Sequence, residues 1–430
     1  MDLKPQRVLQ GVAGALMLFA IVAGAQTPAA PAPATPPDTT TAPVAAPAPA
    51  AAPVWSVGTI DLSGYVDVYY SYNANRPADQ YNDFYNFNDK TDQFNLEAAK
   101  LTLNHDPDPV GAHVDILFGR SNAIIHSATD SSTDNYIEQA YMSIKPPKAK
   151  GFELDAGQFV TSAGAEVIET MSNWSYSHGL LFSYAIPYYH FGLRTSMPLT
   201  KTWTAGVQLV NGWNDVVANN GGVTVGLTSA LTKPKYAWTL NYYTGPQNTG
   251  LPPNYAGTQK GYRNLIDTEL LLTPNAKFNA YVNYDYGQNR IPSYPGYNGE
   301  TAITVKSIDP LWQGVAVSAR QQVTGNAALI VRYEYFYDNR GFMTGTGYLK
   351  QSMDEFTATY EYKWPVGLLF RAEYRIDWSN KNIFHYGNDG TYDLSGRPGY
   401  NSSNYTAGGP SMDAQNTATV GLIAFFGPKR

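Results

Sequence analysis

The segment 367–379 alternates between apolar and charged side chains at every second position. The apolar set comprises Phe370, Ala372, Tyr374, Ile376 and Trp378. The charged set, in the other phase, comprises Arg371, Glu373, Arg375 and Asp377. Alternation of this length predicts a β-strand with one apolar face and one wet face. The same pattern with different residues recurs at 276–287, 327–338 and 352–364.

About sixteen segments show this pattern, and each is long enough to cross a bilayer as a tilted strand. They are predicted at 58–72, 93–104, 111–120, 134–145, 151–160, 184–198, 201–213, 221–232, 235–245, 263–273, 276–287, 311–323, 327–338, 352–364, 367–379 and 415–427. Aromatic residues gather near the segment ends, as they do at membrane interfaces. Near Ala99 the alternation slips by one residue, which predicts a β-bulge.

The connections between these segments alternate between short turns and long loops. Short turns such as 106–109, 198–200 and 273–275 separate longer stretches such as 73–92 and 380–414. Outer-membrane barrels have short periplasmic turns, long outer loops and an even number of strands. We therefore predict an all-β fold, a transmembrane antiparallel up-and-down β-barrel of about 16 strands, formed by residues 55–430.

The N-terminal region has a different composition. Residues 1–25 carry Lys4 and Arg7 before an apolar run that ends in small residues, which predicts a secretory signal peptide. Residues 26–54 are nearly all Ala, Pro and Thr, and such a segment cannot bury a core. We expect it to be a disordered tether.

Composition excludes several functions. The chain has no Cys, which excludes thiolate chemistry, and a net charge of −6 without a basic run argues against a nucleic-acid partner. The six His residues are scattered and HExxH is absent, so we predict no metal site and no cofactor. Asp and Asn in the loops 75–93 and 384–396 could hold Ca²⁺, but solvated outer loops are the simpler interpretation.

The wet faces of the strands carry the candidate pore-lining and constriction residues. They are Asp67, Asp115, Glu166, Glu169, His190, Arg194, Arg320, Arg332, Glu334, Lys363, Arg371, Glu373 and Arg375. The acids come mainly from early strands and the bases mainly from late ones, so they could create a transverse field in a pore, with Glu166 and Glu169 facing the arginines. The alternative is that these charges pair across neighbouring strands.

The loop 161–183 is too apolar to lie free in water, since it carries Val167, Ile168, Trp174, Leu181 and Phe182. We expect it to fold into the barrel and constrict it, or else to pack at the rim or against another subunit. Ser177 and His178 are adjacent, but no acid completes a catalytic relay, so no catalytic residue is predicted. In the next strand, Tyr189 is expected to face lipid and His190 the lumen.

Three stretches carry a family resemblance: GQFVTSAGAEVIET (157–170), NWSYSHGLLFSYAIPYYHFGLRTS (173–196) and VNGWNDV (210–216). They resemble the bacterial OmpL-like β-barrel porin family (β-barrel porin-2). The resemblance implies a water-filled channel in the outer membrane of a Gram-negative-type bacterium. Its partners would be membrane lipid and small hydrophilic solutes, and porins of this strand number are commonly trimers. The alternatives are an adhesin or receptor with a plugged lumen and, more remotely, an outer-membrane hydrolase.

Overall fold

The computed structural model describes residues 56–57, 59–126, 135–218, 222–248, 260–290, 294–298, 301–305, 309–346, 349–387 and 410–427. The predicted signal peptide and tether, residues 1–54, lie outside the described residues. So does most of the loop 384–396.

Sixteen long strands run antiparallel to their neighbours. In chain order they are β1 Ile60–Asn73, β2 Gln93–His105, β3 Val110–Phe118, β4 Ile137–Ile144, β5 Glu153–Val160, β6 Tyr189–Pro198, β7 Trp203–Val210, β8 Thr224–Lys233, β9 Tyr236–Asn248, β10 Lys260–Asn275, β11 Phe278–Arg290, β12 Leu311–Gln322, β13 Ala327–Asp338, β14 Gln351–Trp364, β15 Leu368–Ser379 and β16 Ala414–Phe426. A two-residue strand, Ser56–Val57, pairs with the start of β1, and a hairpin of Tyr294–Asn298 and Thr301–Val305 lies between β11 and β12.

The barrel closes because the last strand pairs with the first. Each strand pairs with the next along the chain, and β16 pairs with β1 from Thr417↔Asn73 to Phe426↔Gly64. Closure leaves no sheet edge and satisfies the backbone N–H and C=O groups, which is the condition for a β-structure in lipid. The predicted sixteen-stranded antiparallel barrel is confirmed.

The two faces of each strand differ as the alternation predicts. On β15, Arg371 and Arg375 are buried on the inner face, whereas Tyr374 is 48% exposed on the outer face. In β2, Asp67↔Ala98 is followed by Val68↔Leu96, so Glu97 is an extra residue that forms a bulge. This bulge confirms the register slip predicted near Ala99.

The start of the sixth strand is predicted wrongly. Strand β6 begins at Tyr189 rather than at residue 184, because Leu180–Tyr184 forms a short helix (α2) and Pro187, which has no N–H to donate, stands before the strand. A second short helix, α1, covers Arg120–Ile125, and Thr170–Ser172 forms a 3₁₀ turn. Among the described residues, no helix combines the length and the apolar character needed to cross a membrane.

Candidate functional site

The long connection between β5 and β6, residues 161–188, lies inside the barrel, and we call it the inserted segment. It contacts inward-facing side chains from opposite sides of the wall. Tyr176 Oη donates to Asp67 of β1 at 2.7 Å, and on β9, eight strands away around the barrel, Asn241 Nδ2 donates to the carbonyl of Ser162 at 2.8 Å. The segment therefore extends across the lumen.

Three guanidinium groups hold the backbone of the inserted segment, and we call Arg332, Arg371 and Arg375 the arginine wall. Arg371 donates to the carbonyl oxygens of Thr170 and Ser175 at 2.6 and 3.1 Å, and also to that of Asn173. Arg332 and Arg375 donate to the carbonyls of Ser177 and His178 at 2.7 and 2.6 Å. A planar guanidinium presents several N–H donors in fixed directions, which suits this kind of backbone contact.

Carboxylates bind the N–H groups of the same stretch. Glu373 accepts from the backbone of Tyr176 and Ser177 at 2.6 and 3.0 Å. Glu334 accepts from the N–H of Leu181 at 3.0 Å. Glu166 accepts from the N–H of Gly179 at 2.7 Å and lies 2.5 Å from Arg332. Glu166 thus faces the arginine wall, and side chains of the barrel wall bind both N–H and carbonyl groups of the segment's backbone.

The charges of the arginine wall are compensated on the wall itself. Arg332 pairs with Glu355 at 2.7 Å, Arg371 with Glu361 at 2.8 Å, and Arg375 with Asp377 at 2.6 Å. The three arginines are at most 2% exposed. In this structure they anchor the inserted segment and pair with neighbouring carboxylates, rather than facing water in an open pore.

Glu169 differs from the expectation that it faces the arginines. It pairs with Lys100 of β2, whose Nζ also lies 2.8 Å from Asp115 and 2.6 Å from Glu138. We call these four residues the lysine cluster. The three carboxylates present oxygen atoms within 4.8 Å of one another, the spacing of a cation site, and the Lys100 ammonium lies among them. Glu169 lies here because Lys100 offers the opposite charge on that side.

A cavity of about 1140 Å³ opens at the turn end of the barrel, below the inserted segment. Lys100, Thr102 and Glu169 line one side of it, and Lys363 and Phe425 line the other. The Lys363 ammonium lies 5.2 Å from the centre of the Phe425 ring. Two of the predicted pore-lining residues, Glu169 and Lys363, therefore line a cavity that is open to water.

The other candidate residues lie on the inner wall with local partners. Arg194 bonds Asp155 at 2.7 Å, and Arg320 bonds Glu361 at 2.8 Å. His190 is buried, its Nδ1 lies 2.9 Å from the carbonyl of Gly212, and its ring stacks on Tyr243.

Two local expectations are wrong. Tyr189 does not face lipid, because its side chain is completely buried beside His126, and its hydroxyl donates to the carbonyl of Asn214 at 2.9 Å. The loop 75–93 is not a solvated outer loop, because Asn82, Asp83 and Asp89 are at most 3% exposed. Asp83 accepts from the backbone N–H of His385 at 2.6 Å, and Asp89 pairs with Arg120 at 2.5 Å.

The first long connection, residues 74–92, packs on the inserted segment, a contact that the sequence reading missed. Phe87 lies against His178 and Phe182, with ring centres 4.3 and 5.6 Å apart. Asn86 donates to the carbonyl of Ser183 at 2.7 Å. One feature of the sequence indicates that this connection is buried: Phe84, Tyr85 and Phe87 lie within a loop that is otherwise rich in Asp and Asn.

Ser177 and His178 have structural contacts in place of a catalytic arrangement. The Ser177 hydroxyl lies 3.4 Å from nitrogens of both Arg332 and Arg375. His178 Nε2 lies 2.8 Å from the carbonyl of Val167. Burial lowers the pKa of His178, because the neutral imidazole tolerates the apolar contacts of Phe87 and Phe182 better than the cation does.

A family model described as "Putative beta-barrel porin-2, OmpL-like" matches residues 59–425, which is nearly the whole barrel. The chain belongs to this family. It is therefore an outer-membrane β-barrel porin, as the resemblance of residues 157–216 implied. Membership places it among outer-membrane channels. A search among curated protein sequences finds no match.

Solved porins share the fold at low sequence identity. OmpT of Vibrio cholerae is 12% identical with a TM-score of 0.53, covering 87% of this chain and 100% of OmpT. An anion-selective porin from Comamonas acidovorans is 11% identical with a TM-score of 0.53, covering 85% and 99%. The channel DcaP of Acinetobacter baumannii is 11% identical with a TM-score of 0.52, covering 85% and 97%. At these identities the likeness supports the barrel fold alone.

Proposed function

We propose that this porin lets small hydrophilic solutes diffuse passively across the outer membrane, and that the inserted segment narrows its lumen. The observation that carries the proposal is the extension of the segment from the lysine cluster to the arginine wall. Solutes would pass beside the segment and enter the cavity that Glu169 and Lys363 line at the turn end. Fixed charges along a narrow aqueous path select solutes by charge.

The test measures conductance and permeation together. Purified protein is reconstituted into planar bilayers and into liposomes, and swelling is followed with sugars, amino acids and organic anions. We expect conductance that rises with salt concentration and a size limit for sugars. An absence of conductance in correctly folded protein would contradict the proposal.

The role of the segment is tested with Glu166→Gln, which removes a charge that binds both Arg332 and the N–H of Gly179. A looser segment should raise the conductance and the size limit. Lys145→Gln is the matched control. Lys145 Nζ lies 3.0 Å from Glu153 Oε2 in an exposed pair near a short turn, away from the inserted segment. If both variants conduct like the native protein, the inserted segment does not determine the conductance or the size limit of the barrel.

One observation favours a second candidate, a plugged barrel that acts as a receptor or adhesin. Two connections, 74–92 and 161–188, bury their aromatic side chains together in the outer half of the lumen, around Phe87 and Phe182. Such a protein would fold normally and conduct no ions, so the bilayer measurement separates the two candidates. We also propose assembly as a homotrimer, since OmpT of Vibrio cholerae is recorded in a trimer form. Cross-linking in native membranes tests it.

A further inference from the structure

Two aspartates lie side by side where the inserted segment begins. Asp267 of β10 pairs in register with Asp285 of β11, and both side chains are completely buried. Residues directly opposite on one face of a sheet have Cβ atoms about 4.5–5.5 Å apart. The two carboxyl groups lie within hydrogen-bonding reach of each other.

The surroundings supply donors to only one of the two aspartates. Asn241 Nδ2 donates to Asp267 Oδ1 at 2.7 Å, and Asn283 Nδ2 donates to Asp267 Oδ2 at 2.9 Å. Among the described residues, no donor binds either carboxyl oxygen of Asp285. The site is therefore built to stabilise a carboxylate at Asp267, whereas nothing described stabilises one at Asp285.

The charged groups that face this pair do not compensate it. Glu269 of β10 and Glu334 of β13 add negative charge nearby. On the β9 side the neighbour is the neutral Asn241, and on the β12 side Asp285 is opposite Gly314. In the part of the barrel that is described, no ion pair joins either aspartate to a base, and Arg332 is engaged by Glu166 and Glu355.

We propose that Asp267 and Asp285 form a proton-binding site in which Asp285 holds one proton and donates a hydrogen bond to the Asp267 carboxylate. Two carboxylates at hydrogen-bonding distance in a buried site cannot both be ionised, because their repulsion and desolvation are uncompensated. A proton on Asp285 turns this unpartnered carboxyl group into a hydrogen-bond donor to Asp267 and removes its charge. Paired acidic side chains elsewhere solve the same problem with a shared proton.

This proton stabilises the start of the inserted segment. Asn241 Nδ2 also donates to the carbonyl of Ser162 at 2.8 Å, and Asn283 Oδ1 accepts from the N–H of Ala165 at 3.3 Å. Both amides are oriented by Asp267, so the position of residues 162–165 depends on Asp267 remaining a well-placed acceptor. Loss of the proton would leave two adjacent negative charges, at Asp267 and Asp285. Their repulsion would displace Asn241 and Asn283 and weaken their hydrogen bonds to residues 162–165.

Isosteric variants separate the two roles. Asn at position 285 keeps an N–H donor toward Asp267, so Asp285→Asn should fold and unfold in urea like the native barrel. Asn at position 267 presents an NH₂ group where Asn241 and Asn283 donate, so Asp267→Asn should lower the urea midpoint or fail to fold. Equal effects of the two variants, or a larger effect of Asp285→Asn, would overturn the assignment.

Infrared spectroscopy tests the proton directly and does not depend on channel function. The native protein should show protonated-carboxyl C=O absorption at neutral pH, and the native-minus-variant difference spectrum should show that Asp285→Asn removes one component of it. Asp377→Asn is the control, because Asp377 is equally buried but pairs with Arg375 at 2.6 Å, and it should leave that band in place. A band unchanged in Asp285→Asn would overturn the proposal. A second result would also overturn the proposal: added Ca²⁺ raises the urea midpoint of the native protein but not that of Asp285→Asn. In that case a metal ion rather than a proton would occupy the site.

The effect on transport rests on the proposed function. In bilayers, native conductance should rise from neutral to strongly alkaline pH as the proton is lost, and that of Asp285→Asn should rise less. If neither protein conducts, the proposed function fails while the infrared result still decides the proton site. If both conduct with the same pH dependence, the link from the proton to the inserted segment is wrong.

Discussion

The two sides of the lumen hold the inserted segment in different ways. The arginine wall uses three guanidinium groups on β13 and β15, each bound to backbone carbonyls of the segment and to a carboxylate on β14 or β15. The lysine cluster uses one ammonium group, Lys100, for three carboxylates on β3, β4 and the segment. The first arrangement shares its contacts among several groups, and the second depends on a single residue.

The difference shows how buried charge is tolerated inside a barrel. Removing one partner of a buried ion pair costs most when the remaining charge has no second partner. On the arginine wall, Glu361 has both Arg320 and Arg371, at 2.8 Å each. In the lysine cluster, Glu138 has no basic partner other than Lys100 among the described residues. We therefore expect the lysine cluster to be the more sensitive side.

The largest effect is expected for Lys100→Met, which removes the ammonium group from three carboxylates, while Asp115 alone keeps a basic neighbour, His113, at 3.0 Å. The free energy of unfolding should fall by about 3–5 kcal/mol. Urea unfolding followed by gel migration measures this value. Lys233→Met is the control, because Lys233 is exposed and bonds only the Thr202 hydroxyl in the described structure. Similar losses in both variants would contradict the central role of Lys100.

A smaller effect is expected for Arg371→Met. The variant loses the bonds to Thr170 and Ser175, but Glu361 keeps Arg320, so the loss should be about 2 kcal/mol. The inserted segment should also become more accessible to protease. Arg371→Lys keeps the charge without the planar fork and should recover only part of the stability. If Arg371→Met costs more than Lys100→Met, the comparison between the two sides is reversed.

Tyr176→Phe breaks the contact between the segment and the β1 side of the lumen. It removes the donor at 2.7 Å from Asp67 and leaves the ring packed on Tyr69, so we expect a loss of about 1.5 kcal/mol. The same urea measurement applies, and Tyr360→Phe serves as a control on the exposed outer face. No difference between the two would mean that the Tyr176 hydroxyl contributes nothing to holding the segment.

The smallest effect concerns pH and His178. Its pKa is lowered by burial, so the unfolded chain binds a proton in a pH range where the folded protein does not. Stability is therefore lost as pH falls below about 6.5, and the loss at about pH 5.5 is at most about 1.4 kcal/mol. His178→Gln should remove this part of the pH dependence in urea titrations at several pH values. If the pH dependence of stability is the same in His178→Gln and the native protein, groups other than His178 cause it.

Much of the fold was predictable, because alternation along a strand is a local property of the chain. The pattern in 367–379 already placed Arg371 and Arg375 inside and Tyr374 outside, and β15 has that arrangement. The apolar character of 161–183 predicted that it needs burial. Strand β6 was placed too early because the helix Leu180–Tyr184 and Pro187 interrupt an apolar run that periodicity alone cannot distinguish from a strand.

The sequence by itself determined the number of strands, their inner and outer faces and the need to bury 161–183, because these depend on side chains a few positions apart. Only the tertiary structure decided which charges meet. Glu166 reaches Arg332 while Glu169, three residues later, reaches Lys100 on the other side. The folding of 74–92 onto the same segment likewise depends on contacts between distant parts of the chain. Such partners follow from how the closed barrel brings those parts together, which no local pattern encodes.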